Sequence, residues 1–189
     1  DSGNPCFAGT AAYHDATWQV TGAGNSIGNN MQFTGKPVQG DVSIVAKIEN
    51  NSLSSATSGL MIRESLSANT NFVSINLYNN GTLNSRFNAG AGYTHHRPQT
   101  PWWLKIERIG HRVFTFHSHD GVNWTNNSLF LANLPLDTYI GLYTISNNTS
   151  SLNTATFSQV AITNTNASGA PQINSAPVAN AVAGADFNY

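Results

Sequence analysis

The sequence has little charge, almost no cysteine and no long hydrophobic run. Only 9% of its 189 residues are charged and the formal net charge is -1, which, in the absence of a nucleic-acid motif, argues against nucleic acid as a partner. The single cysteine, Cys6, excludes an intrachain disulfide. No run of about 18 apolar residues occurs, so no membrane-spanning segment is expected. No stretch of about ten residues has the period of an amphipathic helix, so helices should be single turns at most.

The chain contains many short segments in which large apolar and polar side chains alternate. This period of two is typical of β-strands that bury one face. Gly110 and the pair Asp120-Gly121 supply turns, because glycine reaches positive φ at little steric cost. Strands are predicted at 18–21, 31–34, 42–49, 59–64, 72–78, 83–87, 103–107, 113–117, 139–145 and 154–162. Short strands at this spacing predict an all-β fold, an antiparallel β-sandwich.

Turn and linker signals divide the chain further. The triplet Asn79-Asn80-Gly81 predicts a tight hairpin, because Asn and Gly tolerate positive φ. After residue 163 the composition changes to prolines and small residues, with no charge before Asp186. We therefore expect one β-sandwich domain over 1–163. The segment 164–189 is predicted to be a linker or a docked tail that leads to a next module.

The segment 101–124 also carries a family resemblance. It contains an aromatic-led strand ending in Arg108, a glycine, an aromatic strand and the pattern Ser-x-Asp-Gly-x-x-Trp ending at Trp124. With the blocks at 40–48, 59–65, 140–143 and 154–157, the chain resembles, over about residues 7–163, secreted bacterial modules of the concanavalin A-like lectin/glucanase superfamily. The resemblance implies a jelly-roll sandwich that is exported and tethered to polysaccharide-degrading domains, and we expect a monomer. It does not name an activity, because this sandwich hosts binders, lyases and hydrolases.

Sequence patterns for catalysis are absent or lack their structural context. The segment 24–28 matches the Gly-x-Ser-x-Gly pattern of a nucleophile elbow, but a strand follows Ser26 where a helix is needed. Glycosidases use two carboxylates about 5 to 9.5 Å apart. The glutamates, Glu49, Glu64 and Glu107, fall on separate predicted strands, and the Glu-x-Asp-x-x-Glu pattern of sandwich glucanases is missing. We assign no catalytic residue, and an enzyme is not the favoured interpretation.

No cofactor is required, and two metal sites come into question. His117 and His119 share one face of a strand, but no spacing supplies the further ligands that zinc needs. Asp41 follows Gly40 at the head of a strand, where the resemblance implies a structural Ca²⁺ held by one carboxylate and backbone carbonyls. The alternative is that Asp41 caps a turn.

Positive charge is concentrated in one part of the chain. Six of the eight Lys and Arg residues fall between positions 63 and 112, against two acids. If the polar faces of the strands at 72–78, 83–87, 103–107 and 113–117 align in one sheet, they form a basic, Asn-rich surface. The alternative is a solvated sheet face. Two of the cations, Arg63 and Arg108, are also candidates for buried structural pairs with Glu64 and Glu107.

A basic, Asn-rich surface suits carbohydrate. Asn offers a donor and an acceptor to neighbouring hydroxyls, aromatic rings stack on sugar faces, and Arg binds carboxylate or sulfate. The loop 92–97 would line the rim of the groove. The predicted ligand-binding residues are Asn76, Tyr78, Arg86, Tyr93, His95, His96, Arg97, Trp103, Lys105 and His117. The side chains predicted to be core on the same strands include Leu104, Ile106, Phe114 and Phe116.

These observations favour a non-catalytic carbohydrate-binding module. Its expected partner is an extended polysaccharide, and the cations favour an anionic one. In this interpretation the module targets an attached enzyme to the polysaccharide. One alternative is a polysaccharide lyase or hydrolase with an unfamiliar set of residues, and another is a structural or adhesion spacer that contacts protein.

Overall fold

The protein is described here by a computed structural model, which covers residues 7–88, 90 and 102–164 and the backbone of 93–96. All regular structure within these residues is β-strand. No helix long and apolar enough to cross a membrane is found among them. The strands are β1 (Thr10–His14), β2 (Thr17–Gly24), β3 (Gln32–Gln39), β4 (Val42–Asn51), β5 (Thr57–Arg63), β6 (Phe72–Tyr78), β7 (Thr82–Phe87), β8 (Tyr93–His96), β9 (Trp102–Ile109), β10 (Arg112–Ser118), β11 (Thr125–Leu131), β12 (Asp137–Ile145) and β13 (Asn148–Asn164).

The strands form two antiparallel sheets. The seven-stranded sheet has the order β1-β2-β13-β4-β9-β10-β11, and the six-stranded sheet has the order β3-β12-β5-β6-β7-β8. The prediction of an all-β antiparallel β-sandwich of the jelly-roll type is therefore confirmed. Of the segment predicted as a linker or docked tail, all but Asn164 lies outside the described residues, and Asn164 is the last residue of β13.

The main hydrophobic core lies between the two sheets. Alternate residues of β5 and β6, such as Leu60 and Ile75, face alternate residues of β4 and β9, such as Ile44 and Leu104, and all four are completely buried. Burial of one such side chain stabilises the fold by roughly 1.5–3 kcal/mol relative to its exposure. The prediction of Leu104 and Ile106 as core residues is thus confirmed.

The six-stranded sheet is also covered on its outer face. A second apolar cluster packs there against the connection between β2 and β3, which contributes the half-buried Ile27. The cluster consists of Met31, Phe33, Met61, Phe72, Tyr143 and Ile145. As a result β5 is buried along its whole length and β6 along all but its last residue. Polar residues on the outer face of β6 therefore lie in a mostly dry environment.

Part of the high Asn, Ser and Thr content serves the interior. The Ser58 hydroxyl donates to Asn51 Oδ1 at 2.5 Å and lies 2.7 Å from the Thr144 hydroxyl. The Asn153 amide nitrogen donates to both Asn51 Oδ1 and Thr144 Oγ1, at 2.9 and 2.8 Å. Buried polar groups are costly unless they form hydrogen bonds. These side chains form such bonds with one another, so the interior can accommodate them.

The turns follow the sequence signals. Gly81 has φ of 83° and donates its N–H to the Tyr78 carbonyl at 2.9 Å, which closes the hairpin between β6 and β7. Asp120 Oδ1 accepts the backbone N–H groups of Val122 and Asn123 at 2.9 and 2.8 Å. These backbone donors, together with the amide of Asn123 and the Ser118 hydroxyl, hold the pKa of Asp120 well below its usual range. Asp120 is therefore a turn residue, as predicted.

Three strands have no counterpart in the sequence prediction, and all three are edge strands. They are β1 and β11, at the two edges of the seven-stranded sheet, and β8, at one edge of the six-stranded sheet. The segment of β8 was expected to be a loop. All five residues of β1 are exposed. A strand that buries few side chains has little reason to alternate, so its sequence carries no strong signal.

Candidate functional site

A small cavity lies on the outer face of the six-stranded sheet, at the end where β6 stops. Its volume is about 210 Å³. We call it the Arg86 cavity, and its lining residues are Asn25, Ser26, Ile27, Tyr78, Arg86, Ile145 and Asn147. Three parts of the chain meet there: the segment after β2, the paired strands β6 and β7, and the end of β12 with the turn that follows it. Arg86 is the one charged residue among these seven lining residues.

Arg86 is held in place by its neighbours. Its Nε donates to Asn84 Oδ1 at 3.2 Å, and its Nη2 donates to the Tyr78 hydroxyl at 3.3 Å. Asn84 and Arg86 are two residues apart on β7 and so point to the same face, while Tyr78 ends the neighbouring strand β6. The guanidinium is thereby oriented over the outer face.

Asn76 lies beside this group on the same face. It is directly opposite Asn84 on β7 and Gly59 on β5. Its side chain is completely buried. Neither its amide oxygen nor its amide nitrogen has a hydrogen-bond partner among the described residues. An unpaired buried amide costs free energy, so Asn76 is a polar group in need of a partner.

Tyr143 reaches the same polar region from β12. Burial raises the pKa of its hydroxyl well above the ordinary value, against the opposing effect of the nearby Arg86 charge. The Ser74 hydroxyl also favours the ionised form slightly, although the two hydroxyls do not meet in a hydrogen bond of normal geometry. Tyr143 is therefore protonated at neutral pH, which is opposite to what a general base requires.

The predicted residues of β9 lie on the other sheet. Trp103 and Lys105 are half-buried on the outer face of the seven-stranded sheet, so the expectation of one continuous surface with β6 and β7 is wrong. Lys105 Nζ lies 4.3 Å from the ring centre of Phe116 and 5.1 Å from that of Trp124. It also approaches Glu107 Oε2 at 3.9 Å. Lys105 is thus already surrounded by partners on its own face.

The faces of β10 are the reverse of the prediction. Val113, Thr115 and His117 face the interior and are buried, whereas Phe114 and Phe116 lie half-buried on the outer face. His117 is 3% exposed and contacts the edge of the Trp102 ring. The aromatic residues were expected to be core because of their size. They instead stack on each other outside, with ring centres 6.2 Å apart.

Four predicted residues lie in or beside β8. Tyr93, His95 and His96 belong to this strand, which pairs with β7 at the edge of the six-stranded sheet. His95 is opposite Leu83 and His96 is opposite Thr82 in the register. Arg97 lies outside the described residues. Of the ten predicted residues, Asn76, Tyr78 and Arg86 are therefore brought together on one face.

Arg63 and Arg108 are buried and structural, but their partners differ from those predicted. Arg63 donates to the carbonyls of Ser65, Ser67 and Gly28 at 2.6, 2.7 and 3.1 Å, and burial lowers its pKa to about 10. Arg108 donates to the carbonyls of Gly110, Leu134 and Pro135. Each ties loops together through backbone acceptors, not through a glutamate.

Asp41 acts as a turn cap in the structure. Its Oδ1 accepts the backbone N–H of Gly110 at 2.6 Å. The part of the chain that the structure describes has no group of three or more His, Cys, Asp or Glu side chains placed to hold a metal ion. A calcium ion at Asp41 would therefore depend on backbone carbonyls, and it stays a prediction.

Five residues that line the Arg86 cavity were not predicted from the sequence: Asn25, Ser26, Ile27, Ile145 and Asn147. Asn25, Ser26 and Ile27 belong to the segment that resembled a nucleophile elbow, and the structure shows a turn there: the N–H groups of Asn29 and Asn30 donate to the Ser26 carbonyl. Asn147 has positive φ, 56°, in the turn between β12 and β13. Turn signals were readable at both places. Their approach to Arg86 was not, because it depends on contacts between distant segments.

A larger cavity, of about 320 Å³, opens between the edges of the two sheets. It is lined mainly by apolar side chains, including Trp18, Leu142, Val160 and Ile162, with Lys36 as its one charged residue. The Arg86 cavity is the better candidate site. It brings several hydrogen-bonding side chains and a charge to one point, and such convergence is what orients a ligand.

The fold is similar to solved structures at low sequence identity. A protein of unknown function from Saccharomyces cerevisiae matches with a TM-score of 0.67 and 13% identity, over 82% of this chain and 91% of that one. The carbohydrate-binding module CBM66 from Bacillus subtilis matches at 0.54 and 18%, over 84% and 93%. The alginate lyase AlgAT5, of polysaccharide lyase family 7, matches at 0.54 and 11%, over 81% of each chain.

The chain spans about a third of the length of a GH43 protein from Bacillus licheniformis that it also resembles, 31% of that chain at a TM-score of 0.57. No family model and no curated protein matches the sequence. These likenesses establish the sandwich fold.

Proposed function

We propose that this domain is a carbohydrate-binding module and that the Arg86 cavity is its binding site. The observation that carries the proposal is the set of polar side chains that converge on the outer face of the six-stranded sheet with incomplete hydrogen bonding. Arg86 and Tyr78 line the cavity, and the buried amide of Asn76 lies beside them. The proposal draws support from structural neighbours that include a carbohydrate-binding module.

The chemistry of the lining suits a sugar. Tyr78 offers a half-buried ring, and aromatic faces pack well on the apolar face of a sugar. Asn25, Ser26 and Asn147 offer amide and hydroxyl groups, which donate and accept as sugar hydroxyls do. Ile27 and Ile145 complete the wall with apolar surface. Five of the seven lining residues are thus polar, and convergent polar groups are what orient a ligand in its site.

We prefer a binding module to an enzyme because of the side chains that line the cavity. None of the described residues that line the Arg86 cavity is a carboxylate, so these residues do not assemble the pair of carboxylates used in glycoside hydrolysis. In the full-length protein we propose that the module is secreted and directs attached domains to a polysaccharide.

The experiment is a pull-down of the purified protein against a panel of soluble and insoluble polysaccharides, with product analysis in the same tubes. We expect binding to at least one polysaccharide, no new reducing ends and no unsaturated uronates. Release of products would replace the module by an enzyme. Failure to bind any polysaccharide would contradict the proposal and favour the spacer alternative.

Two variants locate the binding within the fold. Tyr78→Ala removes a ring and a hydroxyl from the cavity, and we expect it to weaken binding about tenfold or more, because a stacked aromatic contact and a hydrogen bond are lost together. Tyr13→Ala removes an exposed aromatic ring from β1 on the other sheet and should bind like the parent. Equal loss in both variants would place the ligand elsewhere.

A further inference from the structure

We propose, building on the carbohydrate-binding function above, that the Arg86 cavity selects one negatively charged sugar unit, a uronate whose carboxylate is bound by Arg86 and Tyr78. The unit belongs to a polysaccharide, and the cavity binds that unit alone, without following the chain across the sheet. Four properties of the cavity carry this inference: the charge balance, the free donors, the neutral acceptors and the size.

The charge balance around Arg86 is uncompensated. Among the described cations that are at least half-buried, Arg63 and Arg108 donate to backbone carbonyls, and Lys47 and Lys105 pair with glutamates. Among the described residues Arg86 has no carboxylate partner, since its two hydrogen bonds end on an amide oxygen and a neutral hydroxyl, and unlike the buried Arg63 and Arg108 it is half-buried and lines a cavity. A partly buried charge without a counter-charge favours an anionic ligand, because the ligand then supplies the missing pair.

The free donors at Arg86 match a carboxylate. Nε donates to Asn84 and Nη2 donates once to Tyr78, which leaves both donors of Nη1 and the second donor of Nη2 for a ligand. The Tyr78 hydroxyl accepts from Arg86, so its own proton remains to be donated. The charged guanidinium and the neutral hydroxyl can each pair with one of the two oxygens of a planar carboxylate.

The rest of the lining corresponds to the hydroxyls of the same sugar. The Asn147 amide nitrogen donates to the Ser55 carbonyl at 2.6 Å and lies 2.8 Å from Thr57 Oγ1, which leaves its oxygen as an acceptor. Ser26 and Asn25 also line the cavity, and their side chains can both donate and accept. The Asn147 oxygen therefore suits a sugar hydroxyl, because a hydroxyl can donate a hydrogen bond whereas an ionised carboxylate can only accept one.

The size limits the ligand to about one sugar unit. The cavity holds about 210 Å³, less than the roughly 300–1,000 Å³ that sites for drug-sized ligands provide. The seven-stranded sheet, which carries Trp103 and Lys105, does not extend the surface. We therefore expect a free uronate to compete fully with the polysaccharide that bears it.

The test is calorimetric titration of the full chain with galacturonate, glucuronate, galactose, glucose and a sulfated galactan. We expect binding of at least one uronate, at least about tenfold weaker binding of the matching neutral sugar, and weakening of the uronate complex by added salt. A preference for the sulfated galactan over both uronates would overturn the carboxylate assignment. Equal affinity for a uronate and its neutral counterpart would overturn the selection of charge.

Variants separate this inference from the proposed function. Arg86→Gln keeps hydrogen-bonding capacity but removes the charge, and it should lower affinity for the uronate at least about tenfold. Arg112→Gln, an exposed arginine on the other sheet, is the matched control and should bind like the parent. Unfolding temperatures of both variants report whether the fold is kept. Tyr78→Phe removes only the hydroxyl donor, and its affinity for the uronate is a second test of the same cavity.

The outcomes are distinguishable. If neutral glycans bind and Arg86→Gln does not change their affinity while uronates fail to bind, the proposed function stands and the acidic specificity falls. If no sugar and no polysaccharide binds, the proposed function itself fails. If uronates bind but Arg86→Gln and Tyr78→Phe both bind like the parent, the assignment to this cavity is overturned.

Discussion

The outer faces of the two sheets carry similar residue types but use them differently. On the seven-stranded sheet Lys47 lies 3.0 Å from Glu49 and Lys105 sits over aromatic rings near Glu107, so each cation has partners within the protein. On the six-stranded sheet Arg86 has no anion and the amide of Asn76 has no partner among the described residues. Because the two faces have similar residue types, composition does not distinguish them. A candidate ligand site is instead recognised by polar groups that lack partners within the protein.

The faces also differ in solvent access. β5 and β6 are buried on both sides, whereas the outward residues of β9 are half-buried or exposed. An unpaired polar group costs more where water is excluded, and a ligand that pairs it gains more. The dry environment of the six-stranded face therefore makes it the stronger candidate for specific binding.

The largest expected effect comes from packing within the six-stranded sheet. A Cβ on Gly59 would lie 2.1 Å from the Ile75 carbonyl oxygen and 2.7 Å from Asn76 Cα. Gly59→Ala should therefore lower the free energy of unfolding by roughly 3 kcal/mol, measured by chemical denaturation. Gly110, in the turn between β9 and β10, has φ of 59°, and a Cβ on it would meet nothing within 4 Å, so Gly110→Ala should cost only about 1 kcal/mol. Similar losses of stability in the two variants would contradict the difference in packing between these two positions.

The next effect compares one cation from each face. Arg86→Ala should weaken carbohydrate binding about tenfold or more, because a charge without an internal partner is lost to the ligand. Lys105→Ala removes a cation that glutamate and aromatic partners already surround, and affinity should stay within about twofold. Affinity electrophoresis of the two variants beside the parent measures both. The reverse ranking would move the site to the seven-stranded sheet.

The turn at Asp120, on the side of the seven-stranded sheet, predicts a pH dependence of stability. Because the folded pKa of Asp120 is depressed by its hydrogen bonds, its contribution is present above the unfolded pKa of about 3.9 and is lost as the pH falls through the folded pKa. Asp120→Asn should lower the unfolding temperature at pH 7. The difference from the parent should shrink as the pH is lowered below about 4. A difference that does not change with pH would remove the carboxylate from the explanation.

The smallest effect is expected from the ion pair on the seven-stranded face. The side chains of Lys47 and Glu49 are 26% and 32% exposed. A double-mutant cycle with Lys47→Gln and Glu49→Gln should give a coupling energy of about 0.2–1 kcal/mol, because solvent screens such pairs. A coupling well above that range would show that this face is more strongly organised than its exposure indicates.

The sequence alone was sufficient for the fold class and for much of the local geometry. Alternation placed Leu104 and Ile106 in the core, and the turn signals at Gly81 and Asp120 were correct. These features depend on residues close together in the chain. Local patterns of this kind report which face of a strand is buried and where the chain reverses.

The site was predicted only in part, for two physical reasons. Strands β6 and β7 belong to one sheet and β9 and β10 to the other, and pairing between distant strands leaves no mark in a local pattern. On β10, alternation gave two equivalent faces, and Phe114 was assigned to the core by size although Thr115 occupies it, donating to Ser85 at 3.0 Å across the sandwich. The polar interior made the smaller residue the better fit.

The most direct test of the account is to map a bound uronate by backbone amide chemical shifts in the full chain, titrated with galacturonate and glucuronate. We predict shift changes at Ser26, Tyr78, Arg86 and Asn147, around the Arg86 cavity, and none at Lys105 or Phe116. Changes confined to the outer face of β9 and β10, or the absence of changes with either uronate, would contradict it.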